Sequence, residues 1–126
     1  MTSEQFVEAI AKFKSPSAVS AVVETLHKPA GRKPDPHHLE LSRWFNQLSE
    51  ADRKNVELVI VEAVHMATFG LFTVVDGVSA IEEGPDNGDF ELYWVRGSER
   101  VLLNPPTGEE LHDLYNWFSR DQYHAK

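Results

Sequence analysis

The stretch from Val56 to Val75 constrains the fold more than any other part of the chain. At about 100° per residue, Val56, Val59, Ile60, Ala63 and Ala67 share one helical face, and Leu58, Val61 and Phe69 lie roughly opposite. A helix apolar on both sides is expected to be buried on both sides, which makes it the central element. Ser49 and Asp52 supply its start as a variant capping box, and Gly70 is expected to stop it. Glu57, Glu62 and His65 interrupt the apolar run. One carboxylate in mid-bilayer costs about 2.5–3.5 kcal/mol, so the reading is a buried soluble helix that runs into a strand, not a membrane span.

The neighbouring segments carry clear punctuation. Thr2 or Ser3 starts a first helix with an apolar stripe of Phe6, Ile10 and Phe13. Ser15 as N-cap and Pro16 at the first position start a second, striped by Val19, Val22, Val23 and Leu26 and stopped by Pro29 and Gly31. Asp35 and Pro36 repeat that grammar for a third, with Leu41, Trp44, Phe45 and Leu48 facing inward. After Gly70 the period changes to alternation. "LFTVV-DG-VSAIE" predicts a hairpin turning at Asp76-Gly77, and "FELYWVRGSERVLLN" a second one about Gly97-Ser98. The second register sets Arg96 opposite Glu99, Trp94 opposite Val101 and Leu92 opposite Leu103. A last helix opens with Thr107 and Glu110 as a capping box, and its stripe is Leu111, Leu114, Tyr115 and Phe118.

The expected fold is therefore one α+β domain over residues 1–126. It has four N-terminal helices, a four-stranded antiparallel meander made of two hairpins, and one C-terminal helix on a single layer-type core. At 126 residues with 41% apolar content, such a core needs no disulfide or structural metal. The chain has no cysteine, which excludes disulfide frameworks, thiolate metal sites and Cys nucleophiles, and fits a reducing, cytoplasmic setting. The N-terminal "MTSEQFVEAIAKFK" has no continuous apolar run and reads as neither signal nor transit peptide.

One spacing points to chemistry. Glu-x-x-His occurs as Glu24–His27, Glu62–His65 and Glu109–His112, where chance alone predicts about 0.6 copies. On a helix that spacing puts both side chains on one face, as in carboxylate-bridged metal sites of helical bundles. Glu24 is turned to water and His27 suits a helix C-terminus. Glu109 and Glu110 suit a first turn, with His112 off the apolar stripe. Glu62 and His65 alone fall inside an apolar helix, where a buried acid must be paired or hydrogen-bonded. They are the candidates for acid/base work or for holding a divalent metal ion, with His37 or His38 as the outside ligand. The competing reading is a structural polar network without a cofactor.

No phosphate loop, dinucleotide fingerprint or nucleophile elbow is present. The net charge of −8 repels nucleic acid, and the basic stretch Lys28–Lys33 is short. The expectation is a small acidic cytosolic binding or regulatory protein acting through a surface: an inhibitor, an immunity-type protein or an adaptor. Its partner is a protein sooner than a small molecule, with Glu82, Glu83, Asp86 and Asp89 as the partner-facing loop acids. Two apolar faces on one helix also allow a homodimer. The alternative is an enzyme or metal-dependent protein built on Glu62 and His65.

Overall fold

The computed structural model describes residues 1–122; residues 123–126 of the expected domain lie outside the described part. Helix α1 (Ser3–Ala9) starts in a capping box. The Thr2 side chain accepts from the Gln5 backbone N–H at 3.1 Å, and Gln5 Oε1 accepts from the Thr2 N–H at 2.9 Å. The helix does not end there. A π-turn at Ile10–Lys14 carries it into α2 (Ser15–His27), the Ser15 N–H reaching back to the Ile10 carbonyl. Ser15 is thus helical and not an N-cap. Pro16 lacks the N–H a continuing helix needs, and a widened turn is one way a helix absorbs a proline without breaking. Val7 and Ala11 are the fully buried residues of this stretch, Phe6 and Ile10 of the expected stripe pack half-buried against the same core, and Phe13, within the π-turn, is 71% exposed.

Asp35 caps α3 (Pro36–Gln47) as expected, its Oδ1 accepting from the His37 N–H at 2.8 Å. α3 packs on α2 through fully buried Phe45. Asn46 Nδ2 and Ser42 Oγ donate to the His27 carbonyl at 3.0 and 3.3 Å, so α3 side chains satisfy the end of α2. Leu41 and Trp44, expected in the core, stay exposed.

α4 (Glu50–Val75) is the largest departure. Ser49 caps it as expected, but the helix passes through Gly70 and absorbs the whole first strand of the expected hairpin. A glycine inside a helix costs about 1 kcal/mol relative to alanine. Burying Phe72 in the core returns about 1.5–3 kcal/mol, so helix wins. Asp76-Gly77 then serves as helix C-terminus instead of hairpin turn. The Val78 N–H donates to Thr73 O at 2.9 Å and the Gly77 N–H to Val74 O at 3.1 Å, with Gly77 at φ +78°: a Schellman motif. A hairpin turn and this cap both require positive φ at the glycine, which is why the dipeptide signals either.

Only the second hairpin forms among the described residues. β1 (Tyr93–Arg96) pairs antiparallel with β2 (Glu99–Leu102), with Arg96 opposite Glu99 and Trp94 opposite Val101. The Leu103 N–H donates to Leu92 O at 2.7 Å, continuing the expected register. The fold is α+β with one two-stranded sheet in place of a four-stranded meander. Because α1 and α2 run on as one body, three helical bodies precede the hairpin, not four. Asn104 fixes the hairpin to α4: its Nδ2 donates to Val75 O and Phe90 O, and its Oδ1 accepts from the Leu92 N–H.

α5 (Leu111–Ser119) closes the core. Val7 and Ala11, Phe72, and Leu111, Leu114 and Tyr115 form one buried cluster. It sits between the first helix, the C-terminal half of α4 and α5. α4 is therefore packed on one side and not two. Val59, Met66 and Leu71 are 65%, 57% and 63% exposed, and 17% of the most apolar 18-residue window of α4 is buried.

Candidate functional site

Three places collect polar chemistry or unpaired surface, and each is built by a helix end or face. The first lies where α4 ends and α5 begins. No Thr107–Glu110 capping box forms, and the N-cap residue Glu110 makes no side-chain cap bond. Asp76 caps α5 from across the fold instead. Its Oδ1 accepts from the Leu111 N–H at 3.2 Å, and its Oδ2 from the His112 N–H at 2.9 Å and the His112 Nδ1–H at 2.7 Å. One residue thus ends α4 and starts α5.

Glu110 Oε2 stands 3.8 Å from the same His112 nitrogen. Among the described residues, Asp76, Glu110 and His112 bring three ligand-type atoms within 4.8 Å of one another, and Glu62, His65, His37 and His38 are not in that group. The geometry fits a hydrogen-bonded cap better than a metal. Two ligands each about 2.0–2.2 Å from one ion stand roughly 3 Å or more apart, whereas His112 Nδ1 and Asp76 Oδ2 are at 2.7 Å. The carboxylate also faces the N–H groups of a helix N-terminus, where the dipole favours an anion and disfavours a cation. As chemistry, an imidazole oriented by a carboxylate is half of a general-base arrangement. Here the other ring nitrogen points at Asp113 Oδ1, 3.5 Å away, and the His112 side chain is 13% exposed. A cleft of about 440 Å³ opens beside the node, with Asp76, Asp89 and Glu91 on its wall.

The second place is His65. It is buried, with its ring between Phe69 and Tyr115 at centroid distances of 6.2 and 5.0 Å. Nε2 lies 3.1 Å from Asn116 Oδ1, an acceptor, so that nitrogen carries the proton. Nδ1 lies 3.3 Å from Ser119 Oγ, whose one hydroxyl proton is directed to Tyr115 O. Tyr115 OH in turn meets Ser15 Oγ at 2.7 Å. Burial holds the His65 pKa below its usual value, and the Asn116 hydrogen bond partly opposes this. Glu62, expected beside His65 in the interior, is exposed: Glu-x-x-His spacing leaves the two about 60° apart, enough to straddle the edge of the packed side. His37 and His38 are exposed on the first turn of α3, with ring centroids 6.5 Å apart. Glu82, Glu83, Asp86 and Asp89 are all exposed, Glu82 Oε1 accepting from the Gly88 N–H at 3.1 Å.

The third place is the outward side of α4: Val59, Ala63, Met66, Ala67 and Leu71 are exposed and Gly70 is half-buried between them. No protein-family model, curated protein or solved structure matches the chain. The site itself must carry the reading.

Sequence reasoning missed the Asp76–His112 node because each residue had a sufficient local explanation. Asp76 reads as a turn residue and His112 as a solvent-side residue off the apolar stripe.

Proposed function

We propose that the chain is a non-catalytic protein-binding module whose working surface is the outward face of α4, an adaptor-like role among those the acidic composition suggested. The observation that supports it is the exposure of Val59, Met66 and Leu71 along one uncharged helical face. Contiguous apolar surface on a folded chain marks a docking site, because water leaves it at about 25 cal/mol per Å² when it is covered. The polar clusters support the same reading. Asp76 and His112 are engaged in capping, and His65 is held in a stacked, hydrogen-bonded niche.

By length and composition α4 would also cross a bilayer. Its other side, however, packs against α2 and α5, and Glu57 and Glu62 lie within it. Stripping those contacts and immersing two carboxylates favours a protein partner over lipid. A photo-crosslinking residue at Val59 or Leu71, compared with one at Val95 on the hairpin, tests the proposal in the cell. Val95 is equally exposed, at 59%. Adducts with a protein at both α4 positions and none at Val95 are expected; no protein adduct from α4, or adducts with lipid alone, would refute it.

A further inference from the structure

The outward face of α4 has a symmetry that a second copy of the chain would use. Six of its non-polar positions are Val56, Val59, Ala63, then Ala67, Leu71, Val74, with Ile60 and Gly70 between them, each five residues from position 65, and Met66 at the edge of the face. The six stand nine, six and two residues on either side of position 65, so the stripe reads alike in both directions. Val59, Ala63, Ala67 and Leu71 are exposed, and Val56 and Val74 are half-buried at the two ends. At 100° per residue all six fall within one third of the helix circumference. Large side chains stand at the ends and the smallest at the centre. Residues four apart form the ridge that interdigitates when helices cross, and alanines at the crossing point let two backbones approach to about 8 Å.

Resting on the docking role proposed for this face, we infer that its occupant is α4 of a second copy, packed antiparallel about a two-fold axis at position 65. Under that operation Val59 meets the partner copy's Leu71, Ala63 meets Ala67, and Val56 meets Val74. Such a self-complementary patch is what an isologous two-fold interface requires.

Charge supports the same arrangement. α4 is about 39 Å long at 1.5 Å per residue. Beyond its N-terminal end lies the exposed basic stretch Lys28, Arg32 and Lys33, placed there because α3 side chains near the start of α4 hold the His27 carbonyl. Beyond its C-terminal end lies the exposed loop carrying Glu82, Glu83, Asp86, Asp89 and Glu91, without a cation among them. A parallel pair would set like ends together. Glu50 and Asp52 in the first turn of α4 leave the N-terminal end of mixed charge, and an antiparallel pair sets Lys28, Arg32 and Lys33 of each copy toward the acidic loop of the other, adding a polar rim to the apolar centre.

The chain has no cysteine, so introduced thiols report the geometry without background. Light scattering across the micromolar range is expected to give the mass of two chains. Ala67→Glu, at an exposed position, is expected to raise the dissociation constant at least tenfold while circular dichroism stays native and the melting temperature loses its dependence on protein concentration. Mixed Val59→Cys and Leu71→Cys chains are expected to form a disulfide under mild oxidation. Val59→Cys alone is expected to form none, because its two copies stand about 18 Å apart along the antiparallel axis. A monomer mass throughout the range, or self-crosslinking of Val59→Cys as in a parallel pair, would overturn the inference. A monomer whose α4 crosslinks to a different protein would do so while leaving the docking role intact. A monomer with no adduct from α4 would remove both.

Discussion

Asp76→Ala should loosen the fold from the junction of α4 and α5. The Asp76 side chain is 3% exposed and accepts three hydrogen bonds, two from the first turn of α5 and one from the His112 ring. Losing an N-terminal cap costs about 0.5–2 kcal/mol. Leu111 is fully buried, so its N–H does not readily find water in exchange, and an orphaned buried donor costs a further 1–3 kcal/mol or so. The His112 ring can turn toward solvent and adds little. The sum is about 3 kcal/mol, a large part of the roughly 6–19 kcal/mol expected for a chain of this length. Asp76→Asn keeps one acceptor oxygen and should lose about half as much. Urea unfolding followed by circular dichroism measures both. With a slope near 2 kcal/mol per molar, the Ala variant should lose about 1.5 M in midpoint at unchanged slope. A cycle with His112→Ala should give a coupling of about 0.5–1.5 kcal/mol, because the ring contact is one bond of three. A loss under about 0.5 kcal/mol for Asp76→Ala would refute the cap. A wild-type midpoint lowered by chelator, with that sensitivity absent in Asp76→Asn, would replace it with an ion site.

Gly77→Ala should cost about 1–2 kcal/mol in a thermal or urea melt. The cost is strain alone, since φ is +78° and an added Cβ meets nothing within 4 Å. His65 sets a pH dependence. Its folded pKa lies below the unfolded value near 6.5, so as pH falls the unfolded chain takes the proton first; stability drops below about pH 6.5 and levels off once folded His65 is protonated. Midpoints at about pH 7.5 and 5.5 should differ more for wild type than for His65→Gln, and an equal difference would remove His65 as the cause. Glu62→Gln should change stability by less than about 0.5 kcal/mol, because Glu62 is exposed; a loss of 2 kcal/mol or more in the same melt would show that it has a buried partner.

How far the sequence could be read depended on whether local chemistry had one outcome or two. Asp35-Pro36 and Ser49 have one structural use each, and both caps form where expected. The Arg96–Glu99 hairpin was legible because charge pairing, apolar pairing and the Gly97 turn agreed on a single register. Gly70 and Asp76-Gly77 have two uses. Gly70 stops a helix unless residues beyond it have a core to enter, and Phe72 does. Asp-Gly turns a hairpin unless the preceding segment is helical, in which case it caps. An error at Gly70 therefore carried an error at Asp76, and the missing hairpin and the missed Asp76–His112 node have one origin. Pro16 is the same kind of case: a helix start in isolation, absorbed by a π-turn when the segment before it packs on α5 and the segment after it on α3 and α4.

The apolar helix with two faces was read from periodicity that counts a residue as apolar whatever its size. Size is what separates the faces. The inward side carries Phe72, His65 and half-buried Phe69, which fill space against Tyr115 and Val7 as a core demands. The outward side carries Ala63, Ala67 and Gly70 between Val59, Met66 and Leu71, and no element of the described residues covers it. The same reasoning also separates the Glu-x-x-His copies. Glu62 stands exposed at the edge of the outward face and His65 is buried in the inward one, so the spacing that suggests a shared ligand set instead straddles two surfaces of different burial.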